Sequence, residues 1–592
     1  MPHIELAPDR KLLKTNFDGY ILSLEPVPVL TADFTSTNSP HRVKPNEQQY
    51  SYYHARLFGM QNHLVRDPWA TGQCYYIDVT GMVQRICYDS TLGRMRPLVA
   101  VFKLPLAPTD PAPDGDDTGT HRYNCSLVFP SEQLCLLSDG CGTVRVLETG
   151  DRTTGREWKL QSAIRPVENN LAEGVLPGGS MLLDGRFLVQ DGKRLLHCVL
   201  LQIEHHAMGK SKSLLHWITL EQSAPPGWTL SVSRTLQSAG YPRYCVLDYH
   251  ATGILVACDE PFRFLYDSEN PVVIPEPKPI GVDAAEQTAW EQFPFRWVQT
   301  LEEINVTFDK QANVHYRVVT EPASPGGENC LKVFANDLLV IDGTQLFATV
   351  DHEQTVWAMD RKTLEITLQK EAAGVVWPFL FPGSPDETGA SGDSDSQPTS
   401  SDLPPATNLS APLEACDFEG EQDTFYTLER LSCSNHAVTH TAVLGSGPPL
   451  FAVTLRAGLP ATFALRHDVD ACLWQLQPVP FGSEDCRFQH EGTLHAFGYV
   501  QASKRQQKYL ACPPGMEYAV ICESHRGIYI YKGHYGAGGA GLRNRTGPQV
   551  AIGQYQFVSL KDWGEVLGIS CEDEMLMLLT EKALLMLQIT NE

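Results

Sequence analysis

Apolar and polar positions along this chain fall into short runs broken by small turns. CYYIDVTGMVQRICY (74–88) is an apolar run, a Thr-Gly turn and a second apolar run. LCLLSDGCGTVRVLETG (134–150) repeats the arrangement around Asp139-Gly140, and YCVLDYHATGILVACDEPFRFLY (244–266) around Thr252-Gly253. YAVICESHRGIYIYK (518–532) turns at Arg526-Gly527, and LGISCEDEMLMLLTEKALLMLQI (567–589) holds two more apolar runs split by charged turns. β-Branched or aromatic residues flanking a Gly-containing turn are the local signal of a β-hairpin. Gly enters such turns because it adopts positive φ at no steric cost.

Amphipathic helices are scarce. KDWGEVLG (561–568) is the one short stretch with a helical reading. Many hairpins with variable loops predict a sandwich or a propeller. The hairpins lie both early (74–266) and late (440–590), and several share a small turn followed by an apolar pair, as in SDGCGTVRVL. That degenerate repeat is like propeller blades of ~40–45 residues, without a regular Trp-Asp ending.

Between the two halves lies a different module, 290–380. In INVTFD (304–309) Ile304, Val306 and Phe308 share one face, and in LEITLQK (364–370) Leu364, Ile366 and Leu368 do. Both alternations predict half-buried antiparallel strands. About seven such strands fit one compact β-sandwich. Then comes PGSPDETGASGDSDSQPTSSDLPPATNLSAP (382–412), too poor in large apolar residues to offset ordering entropy, hence an expected disordered linker. APTDPAPDGDDTGT (107–120) is a smaller acidic loop of the same kind, and SGDSDS (391–396) has the serine-acid pattern expected of an acid-directed kinase target.

Composition narrows the function. At 592 residues the chain exceeds one core, and 42% hydrophobic with 20% charged residues is ordinary for globular domains. A formal charge of −24 argues against a nucleic-acid surface, which needs clustered cations. The densest basic stretch, SKRQQK (503–508), reads as a solvated strand edge. The first twenty residues have no apolar run of signal-peptide length, and no ~18-residue apolar run predicts a membrane span. The 16 Cys are scattered, often inside apolar strands (Cys135, Cys245, Cys258, Cys522), with no CxxC and no zinc spacing. Without a secretory signal they read as buried thiols, and the sequons at Asn124, Asn305, Asn408 and Asn544 read as chance.

Four groups of residues invite a chemical reading. His467-Asp468-Val469-Asp470 could ligate a metal or move a proton. It is better read as a turn between a strand ending at Phe463–Leu465 and one beginning at Leu473-Trp474, with the His bridging blades. SDGCGT (138–143) lacks the third Gly and the helix of a phosphate loop. His205-His206 enters a polar loop. Asp248 and His250 could form a dyad only beside a nucleophile, and no GxSxG elbow exists.

The module 290–380 resembles a CS domain, the co-chaperone sandwich of NudC-type proteins. The resemblance is carried by Trp297-x-Gln299-Thr300, Glu303-Ile304, Thr355-x-Trp357, Leu364-Glu365-Ile366-Thr367-Leu368-x-Lys370 and Trp377-Pro378. The flanks FDGYILSLEPVPV (17–29), YYIDVTG (75–81), LRHDVDACLWQ (465–475) and FGYVQASKR (497–505) are similar to one member of that family over nearly the whole chain. Heptads at the amino end are missing and the CS module is central, so the coiled-coil dimerisation of NudC itself is not carried over. The resemblance implies no catalysis. It implies a co-chaperone or adaptor that works with the heat-shock chaperone of the ninety-kilodalton class, clients that are themselves β-propellers, and a soluble protein of cytoplasm and nucleus. Trp297, Trp357 and Trp377 are expected to pack the sandwich. DKQANVHYRVV (309–319) and the charged ends of 360–371 are its candidate contact edges, with no binding residue singled out.

The expectation is thus an all-β chain: a β-propeller of about seven blades with an inserted CS-type β-sandwich. The boundaries are 1–285 for the first blades and an extended amino-terminal segment, 286–380 for the CS domain, 381–412 for the acidic linker and 413–592 for the remaining blades. The alternative is two separate β units flanking the CS domain. The expected function is a non-enzymatic adaptor linking chaperone to client. The alternative is a propeller scaffold whose CS domain binds clients directly. No catalytic, cofactor-binding or metal residue, no cofactor, no nucleic-acid or membrane partner, and a monomer are expected.

Overall fold

The computed structural model describes residues 3–14, 16–47, 49–89, 92–106, 122–166, 179–205, 211–224, 227–272, 295–300, 302–309, 316–322, 329–335, 338–342, 346–348, 350–359, 363–370, 377, 380, 425–445, 447–483, 485–504, 506–533 and 551–589. The chain divides into two compact units, Met1–Val273 with Cys416–Glu592, and Ile274–Ala415. The stretches 107–120 and 381–412, read above as an acidic loop and a linker, lie outside the described residues.

Among the described residues the first unit contains seven sheets. In chain order, blade 1 starts with Val65–Arg66, Gln73–Ile77 and Met82–Asp89, and blade 2 runs from Ser126–Ser131 to Lys159–Ile164. Blade 3 runs from Met181–Gln190 to Gly227–Ser238 and takes Arg263–Asp267 as a fifth strand. Blade 4 joins Tyr244–Leu247 and Gly253–Cys258 to Tyr426–Ser432 and Val438–Gly445, and blade 5 runs from Phe451–Val453 to Phe488–Leu494. Blade 6 runs from Gln507–Ala511 to Ala551–Ser559 with Phe17–Leu22 added in parallel. Blade 7, Val566–Glu572, Met575–Thr580 and Ala583–Gln588, is completed by Val29–Asp33 pairing antiparallel to its last strand. The 567–589 stretch therefore holds three strands rather than two runs.

The apolar runs follow from this arrangement. Successive strand side chains point to opposite faces, and here both faces meet a neighbouring blade. In Leu134–Ser138 every residue is buried. Cys135 and Leu137 join a core with Tyr75 and Val83 of blade 1, while Leu134 and Leu136 join one with Leu196 and Leu200 of blade 3. Later cores link blades 3 to 4, 4 to 5, 5 to 6 and 6 to 7. The last links Met577, Leu579 and Met586 of blade 7 to Cys74, Tyr76 and Ile86 of blade 1. Seven cores between seven sheets close a ring. This is one seven-bladed propeller, and the alternative of two separate flanking units is overturned. Its innermost strands surround a channel of about 860 Å³.

Two local expectations are corrected and one element is added. KDWGEVLG is a turn leading into the strand Val566–Glu572, whose burial on both faces outweighs helical propensity. SKRQQK is a solvated edge only in part: Ser503 and Gln506 are exposed, but Lys508 lies on an innermost strand, 7% exposed, with Nζ 2.8 Å from Glu565 Oε1 and 2.7 Å from Val566 O. The helix Tyr52–Met60 was not foreseen. It is capped by the Ser51 side chain accepting from His54 N–H and is held by burial of His54 and Leu57.

The second unit is a two-sheet sandwich. One sheet has the order Phe295–Gln299, Glu303–Asp309, Thr363–Lys370, Val350–Met359. The other has Tyr316–Pro322, Asn329–Ala335, Leu338–Asp342. Ile304, Val306 and Phe308 pack with Leu364, Ile366 and Leu368 in its core, as their alternation predicts. The unit follows the second strand of blade 4 and precedes the third, so it interrupts that blade's middle connection.

Candidate interaction surfaces

The chemically suggestive residues of the propeller serve its turns. Strand Thr462–His467 passes to Asp470–Leu476 through Asp468 and Val469, with Asp468 at φ +52°. His467 stands opposite Asp470, and Asp470 Oδ1 accepts from Ala496 N–H at 2.6 Å. The turn is thus tighter than the Arg466–Asp470 expected, and His467 is exposed rather than a bridge. The bridging histidines are others. His250 Nε2 is 2.7 Å from Val479 O of blade 5, and His436 Nε2 is 3.0 Å from Asp267 Oδ2 of blade 3.

Asp248 does not form a dyad with His250. Its Oδ1 accepts from the backbone N–H of His250 and Thr252, and its Oδ2 from Arg430 Nη2 at 2.7 Å. Asp139 repeats the device, accepting from Cys141 and Thr143 N–H and pairing Arg145. Asp78 does so with Thr80 and Met82 N–H. A carboxylate holding two turn amides explains why Asp recurs where the sequence turns. In SDGCGT, Gly140 has φ +72° and a Cβ there would lie 2.0 Å from Tyr123 O, so the glycine serves a close turn. His205 ends the strand Lys193–His205, and His206 lies outside the described residues. Cys135, Cys245, Cys258 and Cys522 are buried free thiols, and burial pushes all four up, Cys258 and Cys522 to about 12.

In the sandwich the residues that carried the CS resemblance converge. Trp297 and Trp377 are 1% and 2% exposed, within the core. The Gln299 side chain clasps the Trp377 backbone from both sides: Nε2 donates to Trp377 O and Oε1 accepts from Trp377 N–H, each at 2.8 Å. Lys370 Nζ donates to the same Oε1 at 2.8 Å and to Thr300 O at 2.9 Å. The spaced Trp, Gln, Lys and second Trp thus form one closure joining the first and last strands of the module.

Trp357 corrects the packing expectation. It is 51% exposed. It stands opposite Ile366 on Val350–Met359, an edge of the four-stranded sheet among the described residues, where no further strand covers it. Met359 stands opposite Leu364 beside it and is 40% exposed. On the other face Val356 is 61% exposed, in register through Thr367 and Asn305 with Val298, 41% exposed. An edge strand apolar on both faces is a ready template for an added chain. The signal was present in Val-Trp-Ala-Met (356–359), where neither alternating face is polar. Of the contact edges expected from sequence, Tyr316–Pro322 is an edge strand of the three-stranded sheet, while 310–315 and 360–362 lie outside the described residues.

Residues 293–370 match the family model of the CS domain. The chain is similar to NudC domain-containing protein 1 of Mus musculus, 28% identical over 611 residues, covering 98% of this chain and 98% of that protein. It is 27% identical to the Xenopus tropicalis protein of that name over 613 residues, covering 99% and 98%. Among solved structures it is similar to the nuclear movement protein from E. cuniculi GB-M1, with 24% identity, TM-score 0.12, covering 15% of this chain and 96% of that one. It is also similar to the Myceliophteria thermophila Cps50 (Swd1) β-propeller domain, with 9% identity, TM-score 0.27, covering 80% and 97%. The resemblance read from scattered motifs thus extends over nearly the full chain, and the chain carries a CS domain and a propeller, two modules suited to protein interaction.

Proposed function

We propose that this chain is a non-enzymatic adaptor of the co-chaperone type. The CS domain engages a heat-shock chaperone of the ninety-kilodalton class, and the propeller holds a client protein. The observation that carries this reading is the placement of a second interaction module inside one connection of a closed ring. Tethering two binding surfaces in one chain raises the effective concentration of one partner for the other. The exposed edge around Val356, Trp357 and Met359 supplies the CS domain with an apolar contact that a packed core would have consumed. The relatives named NudC domain-containing protein 1 support the family reading along the whole chain. On the same reading the protein acts as a monomer in cytoplasm and nucleus.

A second reading is favoured by the same edge. The CS domain would bind clients directly by strand addition, and no chaperone would take part. The test is affinity capture from cell lysate, the full-length chain against one lacking 290–380, read by mass spectrometry. Loss of the chaperone on deletion, with the client retained, supports the first reading. Retention of the chaperone overturns it. Loss of the client with no chaperone captured by either chain supports the second.

A further inference from the structure

The channel enclosed by the innermost strands has an unusual charge. Its Asp, Glu, Lys, Arg and His lining residues are Arg66, Asp184, Arg186 and Arg243. A chain of net charge −24 therefore lines its axis with three guanidinium groups and one carboxyl. The four are not in the same state. Arg66 is neutralised, with Nε 3.0 Å from Glu572 Oε1 and Nη1 donating to Thr454 O. Asp184 is enclosed and accepts from Leu247 N–H at 2.8 Å, and burial pushes its carboxyl above the usual carboxylate range.

Arg186 is 7% exposed. Its Nη1 donates to Gly458 O at 3.1 Å, and the Tyr249 ring centroid lies 5.9 Å from its Cζ. Its Nε has no acceptor among the described residues. Arg243 spends Nη2 on Tyr426 OH at 3.2 Å and also hydrogen-bonds the Tyr52 side chain, while its Nε lacks an acceptor among the described residues. A guanidinium carries five donors; Arg186 has one neutral acceptor among the described residues and is attracted by the Asp184 carboxyl without a hydrogen bond to it, so donors remain for an anion or water to meet. Lining a cavity of this size, such a group can receive a ligand. The planar fork of Arg matches the two oxygens of a carboxylate or phosphate.

We propose that the axial channel is a binding site for an anionic group, a carboxylate or a phosphate, seated on Arg186 against Tyr249, with Arg243 adding to the field. The group can arrive as a small free anion or on an acidic peptide segment. The proposal is independent of what the CS domain binds.

The test uses the full-length chain. Thermal unfolding is followed at fixed ionic strength while chloride is replaced by inorganic phosphate, and separately with a tetra-aspartate peptide. A saturable rise in Tm with at least one probe is expected. Hydrogen exchange should slow in peptides spanning 181–190 and 452–459 but not in 295–370. Arg186→Gln, which keeps a donor for Gly458 O, should weaken binding at least tenfold, whereas Arg96→Gln outside the channel should not. Tighter binding of the peptide than of phosphate assigns the site to an acidic chain. The reverse order assigns it to a free anion, and both uphold the proposal. No saturable shift with either probe overturns it, as does an R186Q chain that binds as the parent does. Should R186Q fail to fold, the exchange data on the parent chain decide, and protection away from the channel strands refutes the site.

Discussion

The junction of blades 1 and 2 contains an ion pair whose removal should be the most damaging single change on the ring. Asp67 and Arg152 are 0% and 3% exposed. Arg152 Nε lies 2.6 Å from Asp67 Oδ2, and Nη2 lies 3.0 Å from Oδ1. Asp67 Oδ1 also accepts from Trp69 N–H, while Arg152 Nη1 donates to Ser131 O and Thr149 Oγ1. The guanidinium lies 4.6 Å from the Phe129 ring centroid. Asp67→Asn keeps the shape and an acceptor for Trp69 N–H but leaves the guanidinium buried without a counter-charge. Breaking one partner of such a pair costs about 3–5 kcal/mol. Arg152→Met should cost a similar amount by stranding the carboxylate. The double variant should fall short of the sum by about 2 kcal/mol or more, because the second change removes a charge already stranded. The assay is urea unfolding of the four chains followed by near-ultraviolet circular dichroism, with the slope checked for constancy. Raising the salt should hardly alter the D67N deficit, since the pair is shielded from mobile ions. A D67N deficit below about 1 kcal/mol, or a coupling near zero, would refute the argument that this contact locks the two blades.

Two further outcomes separate surface from core and test buried charge. Trp377→Ala should destabilise the sandwich by about 3–5 kcal/mol and Trp357→Ser by less than about 1, measured by denaturation of the full chain with peptides of 295–370 followed by hydrogen exchange. Burial depresses His197 to about 3 and His216 to about 4, so the unfolded chain binds more protons below its ordinary histidine value. Their contribution is present above pH ~6.5 and is lost as pH falls from there toward 3 for His197 and toward 4 for His216, by about 2 kcal/mol for each at pH 5. Substituting both by Gln should flatten the dependence of the urea midpoint between pH 7 and 5, and an unchanged slope counts against it.

What could be read in advance was what depends on neighbouring residues. The turns at Asp139 and Asp248 lie where the sequence placed them, because a carboxylate capping two nearby amides is a local device. The alternation in 304–309 and 364–370 gave the sandwich core directly. What stayed hidden depends on distant partners. Phe17–Leu22 and Val29–Asp33 complete blades 6 and 7 at the far end of the chain, and no local pattern names a strand's partner. Arg263–Asp267 follows two strands of blade 4 yet pairs with blade 3. Lys508 looked solvated because a basic stretch does not reveal a buried Glu565. Trp357 looked like core because size alone suggested it, although the neighbouring residues on both faces were already apolar.

The insertion raises the question of how a ring tolerates a whole unit inside one blade. The paired strands Gly253–Cys258 and Tyr426–Ser432 are joined through the second unit, so closing that pair would carry the entropy of a very long loop. The Gln299 clasp shortens it. With Trp377 O and N–H both 2.8 Å from the Gln299 side chain, residues 299 to 377 act as a closed bracket. The bracket spans about half of the insertion, 274–415, and shortens the loop by that share. Loop closure costs about 0.6 kcal/mol per doubling of length, so unfolding the sandwich should weaken the ring by only about that much. Trp377→Ala should therefore open the second unit while the urea midpoint of the propeller moves little. A propeller losing several kcal/mol with that substitution would mean that the two units fold as one. A small loss would mean that the CS domain can loosen, or be remodelled by a partner, without opening the ring that carries it.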